Sequence, residues 1–243
     1  LLVQNARSDH RPYLHPIVAP DGNGVLTQYS PGHHKHQTGV YWGFTRVNGR
    51  DFFHNPSNGY WQLQKAEILA GEGEVVQWET IYHLLDEEGE SMMEESQVWS
   101  MRDTGNEYLV DLVWTGTAHT EVTISEYKYG GLFVRMPWLQ GKEGEVENSA
   151  RQKNQRAEQK RSSWVNIGMQ IDGRTPEDWG HIAVFDHPSN DAYPTPWRVD
   201  GQLGAGPSEA ILGDWTIPAG ESKTYKHQFV VYTGQMNDVR LNE

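Results

Sequence analysis

The sequence predicts an all-β chain, an antiparallel β-sandwich or barrel. Three observations point to it. Short runs of β-branched and aromatic residues recur along the chain, turn signals separate them, and no βαβ pattern or glycine-rich phosphate loop interrupts them. Turn signals spaced roughly 8–14 residues apart are the pattern of a sandwich or barrel.

Taken in order, the expected strands are Gly24–Ser30, Val40–Val47, Trp61–Leu69, Glu74–Leu84, Gln97–Met101, Tyr108–Trp114 and Thr120–Tyr127. Asn-Gly, Gly-Glu-Gly, Glu-Glu-Gly, Asp-Thr-Gly and Thr-Gly-Thr separate them. Leu132–Met136, Trp164–Ile171, His181–Phe185 and Lys223–Thr233 follow. The alternation within Val110–Trp114 and Thr120–Ile124 fits half-buried antiparallel strands. One stretch, 139–163, is polar and of mixed charge and lacks strand signals, so it is expected to be a lid or rim insertion on a single sandwich domain spanning 1–243.

Composition narrows the function. The 243 residues hold 20 Lys plus Arg against 33 Asp plus Glu, a net charge of -13, which argues against nucleic acid and against a polybasic membrane anchor. There is no cysteine, so thiolate metal sites, disulfides and cysteine nucleophiles are excluded. No apolar run approaches the roughly 20 residues of a membrane helix. Ten Trp and eleven Tyr accompany six Phe. These rings suit a β-sheet core, and they equally suit the flat apolar face and polar edge of a sugar.

Four clusters could carry chemistry. The first is Gly32-His33-His34-Lys35-His36-Gln37-Thr38-Gly39-Val40-Tyr41-Trp42-Gly43. In extended backbone, His34 and His36 share one face and His33 takes the other. Such imidazoles suit proton transfer, and His33, His34 and His36 could also hold a divalent metal. The second, Arg11-Pro12-Tyr13-Leu14-His15-Pro16, sets Tyr13 and His15 on a common face as an acid–base pair. The third is Asp186-His187-Pro188-Ser189-Asn190 with Pro194-Thr195-Pro196-Trp197. The fourth is Tyr127-Lys128-Tyr129-Gly130-Gly131-Leu132-Phe133-Val134-Arg135, in which Arg135 sits in an apolar strand and needs an anionic partner, from the protein or from a substrate. Glu87-Glu88 and Glu94-Glu95 look like turn and edge-strand charges. Glu79, Glu126 and Asp111 are better candidates for glycosidase-type carboxylates.

Together these clusters resemble the PmoA-like family of bacterial proteins, filed under a "methane oxygenase PmoA" label. The resemblance rests on RPYLHP at 11–16, HHKHQTGVYWG at 33–43, YGGLFVR at 129–135, SSWVNIG at 162–168, and IAVFDHPSN with PTPW at 182–197. Lys35 and Gln37 depart from the family's HPHHRG. A literal methane oxygenase would span a membrane, and this chain has no span. The resemblance implies a carbohydrate-active antiparallel β-sandwich of the supersandwich or jelly-roll type, similar to galactose-mutarotase-like proteins. It also implies export to the periplasm or the exterior, with a signal peptide expected to have been removed ahead of Leu1.

The expected chemistry is acid–base β-elimination on an anionic, uronic-acid-containing oligosaccharide, as in a dehydratase or polysaccharide lyase. His34, His36, His15, His187 and Tyr13 would move protons, with Arg135 the cation that stabilises the enolate. Arg11, Trp42, Asn190, Trp197 and Tyr129 would bind substrate. No cofactor is required, although a divalent metal would be compatible. The alternatives are a sugar epimerase or mutarotase, a hydrolase of modified keto glycosides, and a non-catalytic glycan-binding module. The sequence leaves the oligomeric state open.

Overall fold

The computed structural model describes residues 1–57, 59–139 and 141–236. Within them the chain forms sixteen strands and two short 3-10 turns. In order the strands are β1 (Leu2–Asn5), β2 (Tyr13–Ile17), β3 (Val40–Gly43), β4 (Trp61–Ala70), β5 (Val76–Leu85), β6 (Ser91–Asp103), β7 (Glu107–Ala118) and β8 (Val122–Ile124). They continue as β9 (Gly131–Arg135), β10 (Gly144–Asn148), β11 (Trp164–Gln170), β12 (Trp179–Asp186), β13 (Trp197–Val199), β14 (Gly204–Pro207), β15 (Trp215–Ile217) and β16 (Ser222–Gly234).

Two sheets pack face to face. The smaller has the order β1-β2-β3-β9-β14-β13, the larger β10-β11-β12-β16-β7-β6-β5-β4, and β15-β8 form a short ribbon beside them. Every named pairing is antiparallel. The antiparallel β-sandwich read from the sequence is therefore the architecture of the chain.

The period of two decides which side chains meet between the sheets. Leu14, Val40, Trp42, Leu132 and Val134 come from the smaller sheet, and Trp99, Leu112, Trp114, Ile182 and Val231 from the larger, all in one buried cluster. Trp42 stacks on Trp114 with ring centroids 4.6 Å apart. Among the described residues, no helix is long and apolar enough to cross a membrane.

Three local expectations are corrected. Residues 24–30 form no strand and make only isolated bridges, Val18 to Val25 and Tyr29 to Thr38. Gly24 and Ser30, at φ +111° and +46°, break the extended path. The polar stretch 139–163 contains β10, the edge strand of the larger sheet; Gln140 lies outside the described residues. Its strand signal is masked because Glu145 and Glu147 alternate with Val146. Lys153 at 2.8 Å and Arg151 at 3.0 Å neutralise those two carboxylates across the turn. Finally, Glu95 is not an edge charge. It points between the sheets, is 1% exposed, and takes a hydrogen bond from Gln97 Nε2 at 2.8 Å.

Candidate functional site

The outer face of the smaller sheet carries an aromatic row. Tyr13 on β2 pairs with Tyr41 on β3, which pairs with Phe133 on β9. Their neighbours Leu14, Val40 and Val134 face the core, so alternation alone aims this row outward. Phe53 and Tyr129 complete the cluster. Two loops settle on it, residues 31–37 and 51–55.

Arg11 joins those loops from below. Its guanidinium lies 3.6 Å from the centroid of the Tyr41 ring. Nη1 donates to Phe53 O at 2.7 Å, and Nη2 donates to His36 O. It is fully buried, so it is a loop support and not the substrate-binding group expected from sequence. Burial pulls its pKa down to about 10, which leaves it charged at neutral pH. Gly39 lets the first loop descend: at φ +80°, a Cβ there would meet Leu14 O at 2.3 Å.

Pro31-Gly32 starts a pair of turns, with His34 N donating to Pro31 O at 2.8 Å and Gln37 N to His34 O at 3.0 Å. The backbone is therefore not extended here, and the alternating faces expected for the histidines do not form. His33 and His34 instead approach Nδ1 to Nδ1 at 2.7 Å. The rings of His34 and His36 lie 5.8 Å apart, and those of His36 and His54 4.5 Å.

The second loop supplies a group that the sequence reading missed. Asp51 Oδ1 accepts the backbone N–H groups of Phe53 at 3.0 Å and His54 at 2.9 Å. Its Oδ2 accepts His54 Nδ1–H at 2.7 Å. That bond sets the tautomer and leaves His54 Nε2 as an acceptor for the Tyr129 hydroxyl at 3.2 Å. Asp51, His54 and Tyr129 thus form one continuous hydrogen-bonded path. The only local sign in the sequence was Asp51-Phe52-Phe53-His54, an acid and an imidazole at turn spacing.

His54 and Tyr129 of this path line a cleft of about 90 Å³, with His34, His36, Arg198 and Asp200 around it. Burial tends to raise the Asp51 carboxyl pKa, but the hydrogen bonds from His54 and the loop backbone outweigh that and hold it below its ordinary value. Burial, helped by His54 and Arg11, pushes His36 down to about 3, so its imidazole is neutral. His34 and His33 are lowered too, by burial first and then by Arg135. Burial and the neighbouring Tyr127 hold the Tyr129 phenol well above its usual value, so it keeps its proton and donates.

The two arginines near the cleft are both engaged. Arg135 is fully buried, with Nη2 donating to Asp200, Nε to Gln37 Oε1 and Nη1 to Gln202 O. Its anionic partner is the protein's own carboxylate, which corrects the expectation of a substrate anion. Arg198 Nη1 donates to Glu158, and its guanidinium sits 5.5 Å from the Tyr129 ring centroid.

Of the residues singled out from sequence, His34, His36 and Tyr129 meet at the cleft, with His33 at its mouth beside Trp138. Tyr13 and His15 form an adjoining ledge with Tyr29, ring centroids 5.5 and 5.8 Å away, and His15 Nδ1 lies 2.9 Å from Thr27 Oγ1. Others are corrected. Trp42 and Trp197 are core side chains, and Trp197 Nε1 donates to Ser162 O at 2.8 Å. Asn190 is a buried clamp, donating to Asp186 Oδ1 at 2.7 Å and accepting Lys226 N–H at 2.8 Å. His187, at the end of β12, hydrogen-bonds Ser189 at 2.7 Å and lines a separate groove with Asp111 and Lys226. Among the described residues, His33, His34 and His36 do not bring three ligand atoms within 4.8 Å of one another.

The profile of one protein family, described as "Family of unknown function (DUF6807)", matches residues 3–243, and the chain belongs to that family. That description carries no PmoA-like label. No curated protein matches the sequence. Among solved structures, the GH36 α-galactosidase AgaB from Geobacillus stearothermophilus is 10% identical over 96% of this chain, with a TM-score of 0.48. AgaA from the same organism, in complex with stachyose, is 11% identical over 87%, with a TM-score of 0.45. This chain spans 38% and 32% of those two chains. A galactose mutarotase-like protein from Lactobacillus casei is 7% identical, covering 96% of this chain and 100% of its own, with a TM-score of 0.46.

Proposed function

We propose that this member of DUF6807 is a carbohydrate enzyme that exchanges protons on a sugar ring, in the manner of an epimerase or mutarotase. The observation that carries the reading is the Asp51–His54–Tyr129 path opening onto a cleft lined by neutral imidazoles. A base and hydrogen-bond donors around one small cavity are what hemiacetal chemistry needs.

The steps balance without a cofactor. Tyr129 takes the proton of the anomeric hydroxyl as its own proton passes to His54 Nε2, and Asp51 stabilises the imidazolium. The bond from the anomeric carbon to the ring oxygen breaks, a carbonyl forms, and the ring oxygen takes a proton from solvent water at the cleft while the His54 imidazolium returns its extra proton to solvent. Neutral His34 and His36 donate hydrogen bonds that hold the opening oxygen. Closure on the other face of the carbonyl returns the protons and gives the other anomer. Phe53, Tyr129 and Phe133 line the cleft and offer ring surface to a sugar's apolar face.

Eliminative chemistry, which the sequence ranks first, is less well served. It calls for a cation free to hold a uronate and its enolate. The two arginines by the cleft are taken by Asp200 and Glu158.

The test is anomer exchange followed by NMR on a panel of aldoses and uronates, with product masses recorded in parallel. The expected result is faster equilibration at unchanged mass for at least one sugar. Absence of acceleration throughout the panel, or a product lighter by one water, would overturn the reading.

A further inference from the structure

We infer that the outer face of the larger sheet carries a divalent-metal site, of zinc chemistry, built from His83, Glu94 and His119. It lies on the far side of the core from the cleft and is independent of the proposed reaction.

Strand alternation builds the site. On β5, Thr80, Tyr82 and Leu84 turn inward and His83 turns outward; on β6, Met93 and Glu95 turn inward and Glu94 outward. His83 and Glu94 are direct partners across the β5–β6 pair, which brings their side chains together. His119 follows β7, whose last residue Ala118 pairs with Met93, and its backbone N–H donates to Met92 O at 2.8 Å. Three separate segments therefore converge, and one ligand atom from each lies within 4.8 Å of the other two.

The orientation of the rings favours ligation over a simple ion pair. His83 Nε2 faces Glu94 Oε2 at 3.5 Å, longer than a good charge-assisted hydrogen bond. Ser91 Oγ lies 2.9 Å from His119 Nδ1, which holds the ring and leaves Nε2 for a metal. A hydrogen-bond partner on the far nitrogen orients a ligating histidine, and the Ser91 hydroxyl supplies one here. The His83 and His119 rings stand nearly perpendicular, 86° apart with centroids separated by 5.2 Å, so they converge from different directions and do not stack. Two imidazoles and one carboxylate are a standard zinc donor set, with water in the fourth position. A bound ion would tie β5, β6 and the turn after β7 together.

Zinc itself is the probe. The untagged full chain, stripped with chelator, is titrated with Zn(II) against a chromophoric competitor, and its Tm is followed. One zinc per chain is expected, with Tm rising by roughly 5–10 °C at a hundred times Kd. His83→Ala and His119→Ala should each weaken binding at least about tenfold. The paired variant His34→Ala with His36→Ala should bind like the parent. Glu94→Gln keeps the side-chain shape, so zinc loss there with an unchanged zinc-free Tm separates ligation from folding. Sub-stoichiometric zinc in the parent, or retention in a His83→Ala/His119→Ala double variant, overturns the site.

Discussion

Among the described residues two aspartate–histidine pairs stand out, Asp51 with His54 and Asp186 with His227, and they do different work. Asp51 and His54 are 2.7 Å apart and about one-third exposed, and the far nitrogen of the ring reaches Tyr129 and the cleft. Asp186 and His227 are 3.8 Å apart and almost fully buried. There the carboxylate is used up by Asn190 Nδ2 at 2.7 Å and Thr195 N–H at 2.8 Å, which clamp the loop after β12. Burial, despite Asp186, pushes His227 down to about 4. The lesson is that residue type does not make a proton relay. It takes a ring nitrogen that reaches a further proton carrier, as His54 Nε2 reaches the Tyr129 hydroxyl at the cleft.

The largest expected effect tests the working half of that comparison. His54→Ala should lower turnover by about 10²–10⁴-fold, the usual worth of a positioned acid or base, with little change in Tm. Normal turnover in that variant would end the assignment. The other half predicts the reverse profile. Asp186→Ala strands the buried Thr195 N–H and Asn190 amide, and should cost about 3 kcal/mol or more in urea unfolding. Turnover per folded molecule should stay as in the parent; a selective loss of activity would mean the buried pair is not merely structural.

A third prediction concerns buried charge elsewhere. Burial raises Glu95 to about 7, opposed by the nearby Trp114 indole and by the hydrogen bond from Gln97 Nε2. Its folded pKa exceeds its unfolded one, so its contribution is full below about pH 4.5 and is lost as pH rises through 7. Glu95→Gln should therefore gain on the order of 1–3 kcal/mol at pH 8 and nothing at pH 4. The buried histidines run the other way. His36 at about 3, with His181 and His227 at about 4, are neutral in the fold and protonate in the unfolded chain below about pH 6.5. Stability from them is full above that pH and falls as acid is added. Glu95→Gln removes the opposing trend, so its Tm should drop more steeply than the parent's between pH 6.5 and 4.5. Parallel Tm curves would refute the sign for Glu95, and a variant Tm that does not fall over that range would refute the sign for the histidines.

The smallest effect sharpens the role of Tyr129. Tyr129→Phe keeps the ring against Phe53 and Arg198 and removes the hydroxyl. A fall in kcat of about tenfold, with KM nearly constant, marks a group acting on the transition state. A change in KM alone would make Tyr129 a binding surface.

How much of this was legible beforehand follows from the range of each interaction. Strand periodicity is local, so β4, β5, β7, β11, β12 and β16 stand close to where the alternation put them. β10 escaped because alternate glutamates resemble a solvated loop until Lys153 and Arg151 neutralise them. The His33–His36 cluster was visible as a cluster, yet its geometry was not, since Pro31-Gly32 turns the backbone. The sequence by itself determined the β class, the acidic surface, the absence of thiol chemistry and the turns that end each strand, because those depend on residue type and near neighbours. Only the tertiary structure decided that Arg135 belongs to Asp200, that Trp42 and Trp197 face the core, and that His54 joins Asp51 to Tyr129. Partner choice and burial are set by strands far apart in the chain, and no local pattern encodes which buried charge will find its counter-charge first.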